Sequence, residues 1–332
     1  MAYIDGKKVL FSPRIDIIDT GVYEKAYDEG RMGAIRQNET WEWWGRDISQ
    51  KTLFESLKYE DTSDTKDFYR MFRDCAWMTK APLLDTSAGE SFFQMYSHCT
   101  GLSTIPEINT SNGKNFNNFV LNCSKLTKFP LIDTSKGEQF GQMFAGCISL
   151  KTIPLIDTSK GKYFYQMFAS SGLPTIPNLD VSNGETFESM FYESKIETVP
   201  RLNTIKGKNF KYMFKNAVQL KRIEGINISS VENASDVVQM FEMNYRLEVV
   251  KFEGVIPVSI DFNGCTNLTG DCIVDIVKHL KIFKPSDSEY KKHKISFYAS
   301  AVWDRATEPI EYEGKSLSVK EYVDAIGWLR NM

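Results

Sequence analysis

Histidine is scarce. The 332-residue chain holds only three, His98, His279 and His293, scattered over unrelated stretches. No histidine-centred catalytic site is therefore expected. The six cysteines form no C-x-x-C and no Cys/His pair at zinc spacing. No glycine-rich phosphate loop and no metal-ligand spacing occurs. The expected catalytic, cofactor-binding and metal residues are accordingly none, and the chain is not expected to be an enzyme. No apolar run reaches the roughly 18 residues that a membrane-spanning helix needs. The opening Met1-Ala2-Tyr3-Ile4-Asp5-Gly6 lacks an apolar core of signal-peptide length, so assembly in a cytoplasm is expected. Neither charge dominates: 40 Lys and Arg stand against 43 Asp and Glu, a net charge of −3. That balance argues against a dedicated nucleic-acid binder. A content of 42% hydrophobic and 25% charged residues is that of a folded protein.

What the sequence has is repetition. Met-Phe or a close variant stands at Met71-Phe72, Met95-Tyr96, Phe119-Val120, Met143-Phe144, Met167-Phe168, Met190-Phe191, Met213-Phe214 and Met240-Phe241. Successive copies lie 24, 24, 24, 24, 23, 23 and 27 residues apart. Proline keeps the same beat at Pro82, Pro106, Pro130, Pro154, Pro177 and Pro200, as does Asp or Asn from Asp61 to Asn227. A period in the low twenties predicts a solenoid.

One unit predicts the rest. Asp157-Thr158-Ser159 supplies side-chain oxygens suited to capping a helix start. Phe164, Met167 and Phe168 fall at i, i+3 and i+4, one face of a short helix. Leu173, Ile176 and Leu179 continue in extended form, with Pro177 fixing a bend. The expected repeat core is Phe140, Met143, Phe144, Cys147, Phe164, Met167 and Phe168. Single coils cannot bury enough to stand alone, so neighbours must stack. The fold class expected is an α/β solenoid: a right-handed, leucine-rich-repeat-like array of ~24-residue coils. Its short strands form a parallel sheet, it has short helices, and it is capped at both ends. Cys75, Cys99, Cys123 and Cys147 share one column that continues as Ser171, Ser194 and Ala217. Inter-coil disulfides and buried thiols compete here; tolerance of any small residue favours reduced thiols.

The ends differ. Residues 1–12 predict a hairpin around Asp5-Gly6. Residues 21–38 predict a helix weakened by Gly30 and Gly33. Trp41, Trp43 and Trp44 follow, as a packing plug or an interface anchor. Thr269-Gly270-Asp271 opens a helix. Residues 294–303 predict a strand and 318–330 a final helix starting at Ser318.

The unit F-x-x-M-F-x-x-C-x-x-L-x-x-I-P-x-I-D-T-S resembles the BspA-like leucine-rich repeats, in the variant with D-T-S and M-F-x-x-C signatures. The cleanest copies run from Phe140 to Ser159 and from Phe164 to Ser182. The resemblance implies a solenoid with a binding role and no catalytic residues. The opening Met1 to Phe11 resembles the start of tail-associated proteins in phages of Gram-positive hosts, and Asn263 to Leu268 with the terminal Gly327-Trp328 resembles phage-borne members of this repeat family. Three segments are expected: 1–50, an N-terminal hairpin/helix for attachment and capping; 51–270, the repeat solenoid; 271–332, an α/β C-terminal cap. The implied function is phage or prophage tail-associated recognition of a host cell-surface glycan or protein, with residues 1–50 docking to other phage structural proteins or forming a homotrimer. The implied location is the virion after cytoplasmic assembly. A bacterial cell-surface adhesin and an intracellular protein-binding scaffold are the alternatives.

Two surface groups are candidates for the ligand. Arg201, Lys206, Lys208, Lys211, Lys215, Lys221 and Arg222 fall in one stretch with no Asp or Glu between them. They are either a solvated face or an anion site, for instance for phosphate-rich wall polymers. Tyr69, Phe93 and Tyr165 share the position after the buried phenylalanine, beside the amide column Gln94, Asn118, Gln142 and Gln166. They are either surface variation or a platform for sugars.

Overall fold

The computed structural model describes residues 62–297 and 300–331, together with the backbone of four short N-terminal strands. Strand β1 (Ala2–Ile4) pairs antiparallel with β2 (Lys7–Val9), Ile4 opposite Lys7, as the Asp5-Gly6 turn predicts. The helix expected over 21–38 is corrected where it can be seen. β3 (Gly33–Gln37) pairs antiparallel with β4 (Thr40–Trp44), joined by Asn38-Glu39. β-branched and aromatic residues at Ile35, Thr40, Trp41, Trp43 and Trp44 favour pairing, and Gly33 disfavours helix. The rest of the expected helix, 21–32, lies outside the described residues.

The chain forms two compact units, Met1–Lys160 and Gly161–Met332. In the first, each coil is tied to the next by four backbone bonds of one kind. Phe68, Arg70, Phe72 and Asp74 donate their N–H groups to the carbonyls of Ser91, Phe93, Met95 and Ser97 at 2.8–2.9 Å. The intervening N–H groups stay local: Met71 bonds to Phe68, Arg73 to Arg70 and Cys75 to Phe72. The same alternation recurs from Phe92 to His98 and from Phe116 to Asn122.

This alternation explains why the expected helices do not form. Among the described residues 62–268 there is no α-helix, only a 3-10 turn at Ala234–Val237. A helix would spend these N–H groups inside its own segment. Here half of them cross to the neighbouring coil, and the backbone reaches them by turning left at two places per coil. Arg70 (φ 56°), Gln94 (57°), Asn118 (60°) and Gln142 (54°) form one such column; Asp74 (64°), His98 (61°), Asn122 (58°) and Gly146 (69°) form the other. Left-handed residues with a Cβ cost roughly 1–2 kcal/mol each, which the inter-coil bonds must offset. The turns still send Phe68, Met71, Phe72 and Cys75 inward, the set that a helix of that pattern would bury.

The core is a stack of like on like. Phe68, Phe92, Phe116 and Phe140 stack in series with centroids 5.5, 5.5 and 5.8 Å apart. Phe140, Met143, Phe144 and Cys147 are fully buried. Asp-Thr-Ser caps turns rather than helices. Asp85, Asp133 and Asp157 accept the N–H of Ser87, Ser135 and Ser159. The threonines reach across instead: Thr86, Thr110 and Thr134 donate to the carbonyls of Asn109, Asp133 and Asp157 at 2.6 Å.

The second unit repeats the plan. Phe164, Met167 and Phe168 are fully buried. Phe168, Phe191, Phe214, Phe241 and Phe262 stack in series. The 27-residue step is absorbed around the 3-10 turn, beyond which Phe210, Tyr212, Phe214 and Asn216 still donate to Asp236, Val238, Met240 and Glu242. Extended runs pair here as a parallel sheet in the order β5 (Thr198–Val199), β6 (Arg222–Ile226), β7 (Val249–Phe252).

The last coil passes into the cap through β8 (Ile260–Phe262). Helix α1 (Gly270–Lys278) starts at Thr269, whose hydroxyl accepts the Cys272 N–H. β9 (Lys294–Phe297) pairs parallel with β8, and Phe297 stacks on Phe262 at 5.3 Å, extending the phenylalanine column into the cap. The strand expected over 294–303 stops at Phe297; helix α2 (Ser300–Trp303) follows and sets the Trp303 ring edge-on to Phe297. β10 (Ile310–Tyr312) and β11 (Lys315–Leu317) form a hairpin around Gly314 (φ 76°). Helix α3 (Val319–Ala325) carries a full capping box between Ser318 and Glu321. It ends earlier than expected, because Gly327 turns left (φ 84°) into β12 (Leu329–Asn331), which pairs parallel with β9.

Candidate binding site

The basic stretch is compensated unevenly. Arg201 is clamped by Glu253, with its Nη2 2.9 Å from Oε2. The clamp passes over Gly225, where a Cβ would lie 2.8 Å from both the Arg201 Cγ and the Glu253 Oε1. Lys215 pairs with Glu242 at 3.0 Å, Lys221 with Glu197 at 3.0 Å and Arg222 with Glu224 at 2.9 Å. These carboxylates come from an adjoining coil, from two coils on for Arg201, or from two residues along the same strand for Arg222, so a window of sequence without acid is not a surface without acid.

Three lysines remain. Lys206 bonds to the Asn183 side chain at 2.6 Å, Lys211 lies over the Tyr212 ring at 5.1 Å, and Lys208 is exposed. None of the three sits in a carboxylate ion pair among the described residues. They belong to one coil, on either side of the turn closed by Gly207, whose N–H bonds to Thr204.

The aromatic candidates divide. Tyr69 and Phe93 stack on each other, with centroids 5.4 Å apart and planes within 7°. The Arg70 guanidinium lies over Tyr69 at 4.7 Å. One face of each ring is thus spent on the other, and Arg70 lies over Tyr69, which leaves Phe93 with the more open face of the pair. Tyr165 stands in the other unit, half-buried, and burial pushes its phenol up. The amide column is also engaged between coils: Arg70 Nε donates to Gln94 at 2.7 Å, Asn118 Nδ2 to Gln142 at 2.7 Å and Asn117 Nδ2 to Gln139 at 2.8 Å.

Ser97, His98 and Asp74 stand together, but Ser97 Oγ (2.8 Å) and Asp74 Oδ1 (3.9 Å) address the same ring nitrogen, Nδ1. A nucleophile–base–carboxylate relay needs them on opposite nitrogens. Among the described residues no group of three or more His, Cys, Asp or Glu is placed to hold a metal ion. No described helix is long and apolar enough to cross a membrane.

Sequence reasoning missed an outward apolar column at Leu83, Leu131 and Leu155. Its signal was present: Pro-Leu recurs two residues before the Asp of the turn, at Pro82-Leu83, Pro130-Leu131 and Pro154-Leu155.

These coils, each repeating its neighbour's hydrogen bonds and core, define a repeat-containing protein. The model of the family described as "Mycoplasma protein of unknown function, DUF285" matches residues 48–129, 94–196 and 174–252, together more than half of the chain. The chain belongs to this family, which is related to the BspA-like repeats. No curated protein and no solved structure matches it.

Proposed function

We propose that this chain is a non-enzymatic binding protein, a capped solenoid whose repeats recognise an anionic cell surface. One observation carries the reading. In a coil whose Arg201 and Lys215 are matched by carboxylates of later coils, Lys206, Lys208 and Lys211 are not so matched. Unmatched cations held on a hydrogen-bonded backbone concentrate anions locally. A phosphate-rich wall polymer suits them better than a neutral sugar, because ammonium groups attract its repeated negative charge. In its narrower form the proposal is a phage or prophage tail-associated protein whose N-terminal segment attaches to the particle and whose repeats meet the host. That form rests on the resemblance of residues 1–11 and 263–268 to such proteins.

The test is co-sedimentation of the full chain with isolated cell walls at low salt, for the native protein and for Lys206→Glu/Lys208→Glu/Lys211→Glu. The expected result is saturable binding that the variant and about 1 M salt both abolish, since screening then acts within ~3 Å. Equal binding by native and variant proteins would overturn the assignment of these lysines.

A further inference from the structure

The outward leucine column belongs to the first unit. Leu83, Leu131 and Leu155 are 74%, 65% and 62% exposed. Each lies beside residues that do serve the core: Ala81 and Leu84, Phe129 and Ile132, Ile153 and Ile156. The extended runs that carry them are joined in parallel. Ser103 N–H bonds to Thr79 at 3.0 Å, Thr127 N–H bonds to Ser103 at 3.3 Å, and Lys80 bridges Thr104. Successive leucine positions therefore stand at about strand spacing, ~4.8 Å per coil.

Charge brackets the column. On the N-terminal side stand exposed Lys80 and Lys128, with exposed Thr152 at the same place beside Leu155; on the C-terminal side stand exposed Asp85, Asp133 and Asp157. The coil between the first and second leucines departs from this at all three places, with Thr104, Glu107 and Asn109. In the second unit the positions that follow the leucine column are Asn178, Arg201 and Gly225, and Arg201 is paired with Glu253. The apolar column is a property of the first unit alone.

We infer that this face binds a second copy of the chain about a two-fold axis parallel to the column. Charge complementarity selects both the partner and the axis. A two-fold along the column sets leucine on leucine, and the lysine flank of each copy on the aspartate flank of the other. A two-fold across the column sets lysine on lysine and aspartate on aspartate, which costs several kcal/mol. Self-complementarity of this kind is what an isologous interface requires. One position opposes it: Glu107 lies on the axis and meets the partner's Glu107. That like-charge contact holds the association weak and reversible.

Sedimentation equilibrium of the full chain at low salt tests this. A concentration-dependent dimer is expected. Leu131→Asp/Leu155→Asp should lose it, and Glu107→Leu should tighten it about tenfold by removing the like-charge contact. Lys128→Asp should weaken the dimer, and Lys128→Asp/Asp133→Lys should restore it, because the two exchanged charges again face each other. All these side chains are exposed, and unchanged melting of each variant would show that the fold persists. A chain that stays monomeric up to its solubility limit would overturn the inference. So would a dimer indifferent to Leu131→Asp/Leu155→Asp, or a charge swap that fails to restore association. None of these outcomes bears on the lysine site of the second unit.

Discussion

The Cys99 thiol donates to the carbonyl oxygen of Phe72, 27 residues earlier, at 3.0 Å. Cys123 repeats the bond to Tyr96 and Cys147 to Val120, both at 3.1 Å. All six cysteines are buried and reduced. Burial pushes the Cys75 and Cys123 thiols up to about 12 and drives Cys99 and Cys147 well above the ordinary range. Because the thiolate is the reactive form, a thiol reagent should modify none of the six in the folded protein, even near pH 9. All six should react in denaturant. Reaction of two or more in the native state would contradict this account of the column.

Tyr96 carries the phenylalanine column's only hydroxyl between Phe72 and Val120, fully buried and without a hydrogen-bond partner. An unpaired buried hydroxyl costs about 1–3 kcal/mol. Tyr96→Phe should therefore raise stability by about 1 kcal/mol, read as a higher denaturant midpoint with unchanged slope.

Val120 breaks a column that holds Phe72, Tyr96 and Phe144, and Phe129 of the same coil lies edge-on to Phe144 at 4.7 Å. Val120 and Phe129 are therefore expected to compensate for each other. Val120→Phe alone should overpack by about 1–3 kcal/mol, and Phe129→Ile alone should leave a void costing about 2 kcal/mol. The double variant should cost at least 1 kcal/mol less than the sum, a coupling expected of touching residues. Strict additivity in urea titrations would refute the compensation.

Gly137 marks a close approach. Its φ is ordinary, but a Cβ there would sit 2.4 Å from the Phe140 ring and 2.9 Å from the Thr134 carbonyl. Gly137→Ala should destabilise by about 1–3 kcal/mol. Gly184 and Gly207, 2.4 Å from Phe187 and Phe210, should behave alike.

Glu90 and Lys114, one coil apart, bond at 2.7 Å on the surface. The Lys114 ammonium holds the Glu90 carboxyl below its ordinary value, and Glu90 raises Lys114 above its own. The lowered carboxyl contributes stability that is present above its unfolded value and lost as pH falls through its folded value. The raised ammonium contributes stability present below its unfolded value and lost as pH rises through its folded value. The melting difference between native protein and Glu90→Gln should therefore be largest near neutral pH, vanish in acid, and shrink in high salt.

The repeat and its inward residues were legible because Phe, Met-Phe, Cys and Asp-Thr-Ser recur in step from Asp61 onward. The backbone between them was not. Phe at i with Met-Phe at i+3 and i+4 describes a helix face and this pair of left-turning bends equally well. What separates them is the destination of the Phe68, Arg70, Phe72 and Asp74 N–H groups, which is a property of the neighbouring coil. The basic coil was legible as charge but not as pairing: Glu253 lies 52 residues from Arg201 and meets it across Gly225, where a Cβ would crowd both side chains. In the cap, Ser318 and Thr269 announced their helices through capping chemistry. The β10–β11 hairpin was missed although Glu313-Gly314 is a turn signal.

The proposed role as a surface-recognising, particle-borne protein is tested most directly by location. An antibody against residues 60–268 would be applied to particle, envelope and cytosol fractions of the source culture after prophage induction. The account predicts signal in the particle fraction, at a tail tip by immunogold microscopy. Signal confined to the cytosol, with and without induction, would contradict it.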